Sequence, residues 1–309
     1  MRRPILLDQG GHVDDLLSTL LLWLSPEVEL QAVGVTNAGC YADLAYETTL
    51  KMATYLNLEG PEIAVSNEEV PNPFPINWRD DSVVINDLPL FEDIALKRRY
   101  QTERPRRSDI VFSDCLKASR VPVTIVATAP LTNLARVFRQ DPTLEEKVKE
   151  IFIMGGALKV EGNVELDETD GSAEWNTYAD PYSFKAILNT KIPIKLHTLD
   201  LTNNLPVTED FLKRLEEQSV KSKASKLASR LWQLVSGKGF QYYFWDTSTA
   251  AAIIEPSLFK YKTVKIDVTT DGVSRGKIST SLFGHKIQLA SSVEKSSVEN
   301  LILSIFSMV

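Results

Sequence analysis

Three carboxylates near the N-terminus raise the first chemical question. Asp8 closes the apolar run Pro4-Ile5-Leu6-Leu7, and Asp14-Asp15 stand directly ahead of the apolar stretch Leu16–Leu24. The glycine-bearing turn Gln9-Gly10-Gly11-His12 lies between them. This reads as a buried strand, a tight loop and a buried helix, with all three acids converging where strand end meets helix start. In open α/β sheets that crevice is where ligands sit. An N-cap explains one Asp at a helix start, and the helix dipole favours a second in the first turn. Neither explains a third acid on the strand end. Oxygen ligands of this kind hold hard cations such as Ca²⁺.

Further polar groups recur at the ends of apolar runs. Thr128-Ala129-Pro130-Leu131-Thr132-Asn133 follows the run Val121–Ala127. It reads either as a turn with a helix cap or as a carbonyl aimed into the crevice. The polar loop after Ile151–Met154 carries Asn163, Glu174 and Asn176. Carboxylates accept from hydroxyls and amides both donate and accept, so together these suit a polyhydroxylated ligand. Asp246 opens another apolar helical run, where it is a plausible cap, and Trp245 stands beside it. Trp78 sits in Pro71-Asn72-Pro73-Phe74-Pro75-Ile76-Asn77-Trp78-Arg79. It either staples that loop down or stacks on a planar ligand, a contact worth roughly 1–3 kcal/mol per base.

The elements that must position these groups follow from the apolar pattern. Strands are expected at Val28–Thr36, Glu62–Val65, Val121–Ala127, Ile151–Met154 and Ile192–Leu199. Helices are expected at Tyr41–Leu56, Leu131–Arg139, Asp180–Leu188, Thr208–Glu217, Lys223–Ser236 and Thr247–Ile254. Strands alternating with helices predict an α/β fold: a mainly parallel open sheet with helices on both faces. Lys260–Val268 and Gly276–Ser281 read as a late β-hairpin, and Val293–Met308 as a C-terminal helix. The proline-rich stretch Asn67–Arg107 shows little periodicity, as lids and binding loops often do.

Size and composition fit a single domain spanning residues 1–309. Hydrophobic residues make up 43% and charged residues 24%, as in ordinary soluble globular proteins. A net charge of −7 gives no sign of nucleic-acid binding. The basic stretch from Lys97-Arg98-Arg99 to Arg104-Pro105-Arg106-Arg107 reads as a solvated face. Cys40 and Cys115 form no spaced pattern, which suggests a reducing compartment. The apolar stretch at the N-terminus is too short for a signal peptide, and Leu16–Leu24 is too short to span a bilayer. A cytoplasmic protein with no membrane partner is expected. His12, His197 and His285 are too scattered for a zinc site.

Taken as a set, these residues resemble the nucleoside hydrolase family, which releases a free base from a ribonucleoside. The resemblance runs from Arg3 to about Pro256 and continues faintly through Asp271-Gly272 and Arg275-Gly276. It rests on the opening Asp8…Asp14-Asp15 and on Ala173-Glu174-Trp175-Asn176 followed by Asp180-Pro181. Trp78 in its setting, Asp170-Gly171-Ser172 and Trp245 resemble the purine-preferring, inosine-adenosine-guanosine branch; other branches place a histidine where Trp245 stands. The resemblance implies Ca²⁺ held by Asp15, Asp246 and the backbone carbonyl of Thr128. It implies ribose hydroxyls gripped by Asp14, Asn163, Glu174 and Asn176, with Met154 beneath the sugar. The purine would lie between Trp78 and Trp245, and Asp8 would support the metal loop from behind. A small-molecule nucleoside is the implied partner, and a homodimer or homotetramer the implied assembly. The chemistry agrees: breaking a ribosidic C–N bond develops positive charge on the sugar, which carboxylates favour, and calcium would activate the attacking water.

Two positions depart from the family. Its opening carries another Asp two residues after the first, as metal ligand and as the base for the water; here that residue is Gly10. The purine branch carries an Asp near the second strand's end, matched here by Gly39. His12 also stands where a small or amide residue is usual. A positioned general base contributes roughly 10²–10⁴-fold, so three readings stay open. Another base takes over, with His12 the nearest candidate; a larger or modified base uses the room left by Gly10 and Gly39; or the chain is a catalytically impaired nucleoside- or ribose-binding homologue. A metal-dependent phosphoesterase ranks last, because no phosphate-cradling glycine motif is present.

Overall fold

The computed structural model describes residues 2–94, 96, 105–236, 239 and 241–309. The strands are β1 (Arg3–Gln9), β2 (Val28–Asn37), β3 (Glu62–Glu69), β4 (Val123–Ala127), β5 (Val148–Met154), β6 (Ile194–His197), β7 (Phe259–Val268), β8 (Ile278–Thr280) and β9 (His285–Val293). They form one sheet in the order β3-β2-β1-β4-β5-β6-β9-β7-β8. Pairing is parallel from β3 across to β9. It turns antiparallel where β7 meets β9 and β8.

The helices are α1 (Val13–Leu24), α2 (Ala42–Tyr55), α3 (Ile76–Arg79), α4 (Asp81–Asn86), α5 (Ser108–Ala118), α6 (Thr132–Gln140), α7 (Trp175–Ala179), α8 (Pro181–Leu188), α9 (Leu199–Thr202), α10 (Glu209–Ser219), α11 (Lys223–Val235), α12 (Trp245–Ile254) and α13 (Lys295–Phe306). The pleat of β1 sends Ile5 and Leu7 into one core and Leu6 into the other. The first core is closed by residues of α1, α2 and α10–α13, the second by residues of α5, α6 and α8. Two buried faces explain why the parallel strands read as continuous apolar runs.

The expected elements are present with shifted ends. Val121 is 54% exposed and lies outside β4. The expected hairpin exists as β7 with β8, but β7 pairs along most of its length with β9, a strand the sequence pattern does not announce. Asn67–Arg107 is not structureless: it holds the end of β3, the short helices α3 and α4 and a 3₁₀ turn at Pro89–Phe91. Lys97, Arg98, Arg99 and Arg104 of the basic stretch lie outside the described residues. Arg106 pairs with Glu62 at 3.2 Å and with Asp114, and Arg107 pairs with Asp109 at 2.7 Å. No helix among the described residues is long and apolar enough to cross a membrane.

Candidate active site

The strand order reverses between β1 and β4, and the crevice beyond their carboxyl ends is the expected place for a ligand. Asp8 ends the run of β1 that pairs with β4, and its carbonyl accepts from the N–H of Thr128 at 2.9 Å. The chain then turns at Gly11, whose φ of 88° suits glycine and where a Cβ would lie 2.4 Å from that of Ala45. This turn delivers Asp14 and Asp15 on the first turn of α1.

Asp15 is gripped from three directions. Its carboxylate accepts from the N–H of Gly10 (2.9 Å), the N–H of His12 (3.1 Å) and the hydroxyl of Thr128 (2.6 Å). The cap reading is therefore correct for Asp15 in part. Asp14 accepts from the N–H of Asp246 (3.0 Å) and the hydroxyl of Tyr242 (3.3 Å), which docks the start of α12 onto α1. Asp14, Asp15 and Asp246 bring carboxylate oxygens within 4.8 Å of one another, and all three are buried.

Such crowding has an electrostatic cost. Burial pushes Asp14 up to about 7, and the charge of Asp15 adds to it. Burial likewise raises Asp15, and raises Asp246 well above the carboxylate range with Asp14 and Asp15 adding to the effect. Three oxygen-donor acids sharing one small buried volume fit a hard divalent cation, which would offset their mutual repulsion.

The second group of polar side chains stands on the loop after β5 and on α7. Glu174 caps α7, accepting from the N–H groups of Asn176 (2.9 Å) and Thr177 (3.2 Å), and from that of Gly156 (2.8 Å). Asn176 donates from Nδ2 to the carbonyls of Thr128 (2.9 Å) and Met154 (3.3 Å), which leaves its Oδ1 as an acceptor. Asn163 accepts from the N–H of Trp175 at 3.1 Å, which leaves its amide N–H groups as donors. The protein thus spends one side of each amide on holding it in place.

A cavity of about 470 Å³ unites these groups. Asp14, Asp15, Thr128 and Asp246 line it, as do Met154, Asn163, Glu174 and Asn176, and as do His12, Trp78 and Trp245. Asp8 is not among the lining residues. It is fully buried, and its Oδ1 accepts from Thr36 (3.0 Å) and Asn133 (2.9 Å). Burial raises it to about 7. Asp8 therefore braces the ends of β1, β2 and α6 from behind the cavity wall.

The room expected at Gly39 is already filled. His12 Nε2 donates to the Gly39 carbonyl at 2.5 Å, and a Cβ at position 39 would lie 2.7 Å from that nitrogen. A Cβ at position 10 would lie 3.1 Å from Asp15 Oδ2. His12 thus takes the space that a side chain at position 39 would fill, while Gly39 itself still lines the cavity. His12 does line the cavity, but with one ring nitrogen committed to a carbonyl.

Several lining residues carry no strong sequence signal. Phe74 stacks on Trp175 at 4.7 Å, and Trp78 lies 5.2 Å from Trp175. Tyr242 packs 4.7 Å from Trp245. An aromatic three residues ahead of Trp245 and one inside the proline-rich run were the only available hints.

Comparison with known proteins agrees with this geometry. A family model described as inosine-uridine preferring nucleoside hydrolase matches residues 5–300. Uridine nucleosidase 1 of Arabidopsis thaliana is 26% identical over 280 residues, covering 88% of this chain and 80% of that protein. The pyrimidine-specific ribonucleoside hydrolase RihB of Shigella flexneri is 27% identical over 281 residues, covering 86% and 83%. The crystal structure of an inosine-uridine preferring nucleoside hydrolase from Bacillus anthracis superposes with a TM-score of 0.91 at 28% identity, covering 99% of this chain and all of that one.

Proposed function

The chain belongs to the inosine-uridine preferring nucleoside hydrolase family and is an N-glycosyl hydrolase; from that premise we propose that it cleaves the ribosidic bond of purine ribonucleosides, with Ca²⁺ as its metal. The observation that carries the reading is one cavity lined both by the buried Asp14–Asp15–Asp246 group and by the indoles of Trp78 and Trp245.

Asp15, Asp246 and the Thr128 carbonyl would hold the ion. When bound, it supplies a positive centre that organises sugar hydroxyls and makes water easier to deprotonate. The chain's own residues do the rest. Asp14 and Glu174 accept from ribose hydroxyls, while Asn163 donates and Asn176 accepts. These carboxylates also favour the positive charge that the sugar develops as the C–N bond stretches. Indole faces around the base raise its basicity, so that it leaves protonated, the proton it takes from solvent being balanced by the one the attacking water loses; the large apolar rings shield its faces.

The purine preference rests on the two indoles. The relatives named above are described by uridine, pyrimidine or inosine-uridine preference, so their names do not support it. Incubation with inosine, guanosine, adenosine and uridine, with and without calcium, tests the proposal. Calcium-dependent release of purine bases in excess of uracil is expected. Faster uracil release would overturn the purine preference. Saturable nucleoside binding with no base release would establish the second reading, a catalytically impaired nucleoside-binding homologue, which Gly10 favours.

A further inference from the structure

The loop that carries Trp78 and the helix that carries Asn176 are tied together by a residue that does not line the cavity. Helix α7 is capped by Glu174 and presents Glu174, Trp175 and Asn176 to the cavity at its N-terminal end. With only five residues, it leaves its last carbonyls without partners inside the helix. Asn72 serves two of them. Its N–H donates to the Ala179 carbonyl at 3.0 Å, and its Nδ2 donates to the Tyr178 carbonyl at 3.0 Å.

Asn72 stands six residues before Trp78. Pro73 and Pro75 fix two of the φ angles between them, so little freedom separates the cap from the indole. Phe74 packs against the buried cluster of Trp175 and Tyr178 and against that of Val70 and Ala179. The far end of α3 is held separately, where Arg79 donates to Asn37 Oδ1 at 2.8 Å and pairs with Glu69. Helix α7 has its own anchors, since Asn176 donates to the Thr128 and Met154 carbonyls and Glu174 accepts from the Gly156 N–H. Asn72 thus sets the loop against a helix that is already fixed. Capping alone would make it a stability residue; its short, stiff path to Trp78 gives it a second role.

We propose that Asn72 is a positioning residue of the nucleosidase reaction: by capping α7 it sets the Trp78 indole at a fixed place relative to Glu174 and Asn176; this rests on the hydrolase reading above. A nucleoside carries base and sugar on one covalent bond. The base platform and the sugar clamp must therefore stand at a matching separation. A misplacement of about 1 Å can cost roughly 10²-fold in rate. Losing one neutral hydrogen bond at the cap loosens the platform and leaves the clamp on its own anchors.

The test compares wild type, Asn72→Ala, Asn72→Asp, Trp78→Ala and the double variant Asn72→Ala with Trp78→Ala. It reads kcat/KM on inosine and guanosine, with equilibrium binding of inosine and of ribose measured alongside by calorimetry. In Asn72→Ala, kcat/KM and inosine affinity should each fall by about fivefold or more, while ribose affinity changes by less than about twofold. Asn72→Asp, nearly isosteric, turns an oxygen towards the Tyr178 carbonyl and should lose at least as much. In the Trp78→Ala background, Asn72→Ala should cost less than about twofold further, because the group it positions is gone. A merely destabilising change would cost the same in both backgrounds. Losses that multiply, equal losses for inosine and ribose, or no loss in Asn72→Ala would overturn the assignment. If wild type binds inosine but releases no base, and the binding losses fail to multiply, the hydrolase reading fails and the Asn72 assignment stands. If wild type hydrolyses nucleosides and the losses multiply, the Asn72 assignment alone fails. Wild type that neither binds nor cleaves inosine would overturn both.

Discussion

His12 and Gly39 occupy one another's space: the imidazole Nε2 donates to the Gly39 carbonyl at 2.5 Å and lies 2.7 Å from where a Cβ at position 39 would stand. A side chain at one position excludes the present placement of the other. Gly39→Ala should therefore displace the ring and lower kcat/KM for purine nucleosides by about tenfold, whereas adding Gly39→Ala to His12→Ala should cost little more than His12→Ala alone. Residues in contact show coupling of roughly 0.5–3 kcal/mol. A double-mutant cycle on kcat/KM measures it, and additive effects would refute the exclusion.

The buried acid cluster predicts a linkage between metal, proton and stability. In the metal-free protein Asp14 titrates at about 7, against 3.8 for an unperturbed Asp. The fold thus binds this proton more tightly than the unfolded chain does. Its contribution to stability is fully present below about pH 4 and is lost as pH rises towards 7. Under the proposed calcium assignment the ion would bind the deprotonated carboxylates and reverse that loss. Chelator-treated protein should melt at a higher temperature at about pH 5.5 than at about pH 8, and added calcium should raise Tm more at the higher pH. Calorimetry in buffers of different ionisation heat should show protons released on binding. A calcium-induced Tm shift that is larger at the lower pH would contradict the linkage.

Position 10 offers a gain-of-function test. Its backbone is not in the left-handed region, and an added Cβ needs Asp15 Oδ2, 3.1 Å away, to give by a few tenths of an ångström. Gly10→Asp should raise turnover by roughly 10²-fold, the scale of a positioned general base, and should tighten calcium binding. Unchanged turnover in steady-state kinetics would mean that another group already removes the proton from water.

Trp245 should matter for the base and not for the sugar. Trp245→Ala should weaken purine nucleoside binding by about tenfold or more, in line with roughly 1–3 kcal/mol per stacked base, and leave ribose binding nearly unchanged. Competition titrations with inosine and ribose separate the two, and equal losses would remove the stacking role.

The central fold and the acidic centre were legible because each is local in sequence. Asp8, Asp14 and Asp15 lie within one strand–turn–helix, so apolar periodicity alone brings them near one another. Asp246 and Thr128 stand at the ends of other apolar runs that a parallel sheet must gather at one edge. Strand β9 was not legible, since it is polar along much of its length and buries little beyond Ile287, Leu289 and Ala290. Helix α5 was hidden by the charged stretch before it, and α3 and α4 by the prolines around them. The filling of the Gly39 space by His12 depends on a contact between the turn before α1 and the loop after β2 that no sequence period encodes. Asp8 stands behind the site, as the resemblance implied, but its partners Thr36 and Asn133 come from distant segments that no sequence period announces.

Titration of calcium into chelator-treated protein, wild type beside Asp15→Ala, examines the acidic centre most directly. One ion per chain should bind to wild type, and binding should vanish in Asp15→Ala, which removes a charged ligand from the group formed with Asp14 and Asp246. Undiminished calcium affinity in the variant would contradict a metal centre at this site.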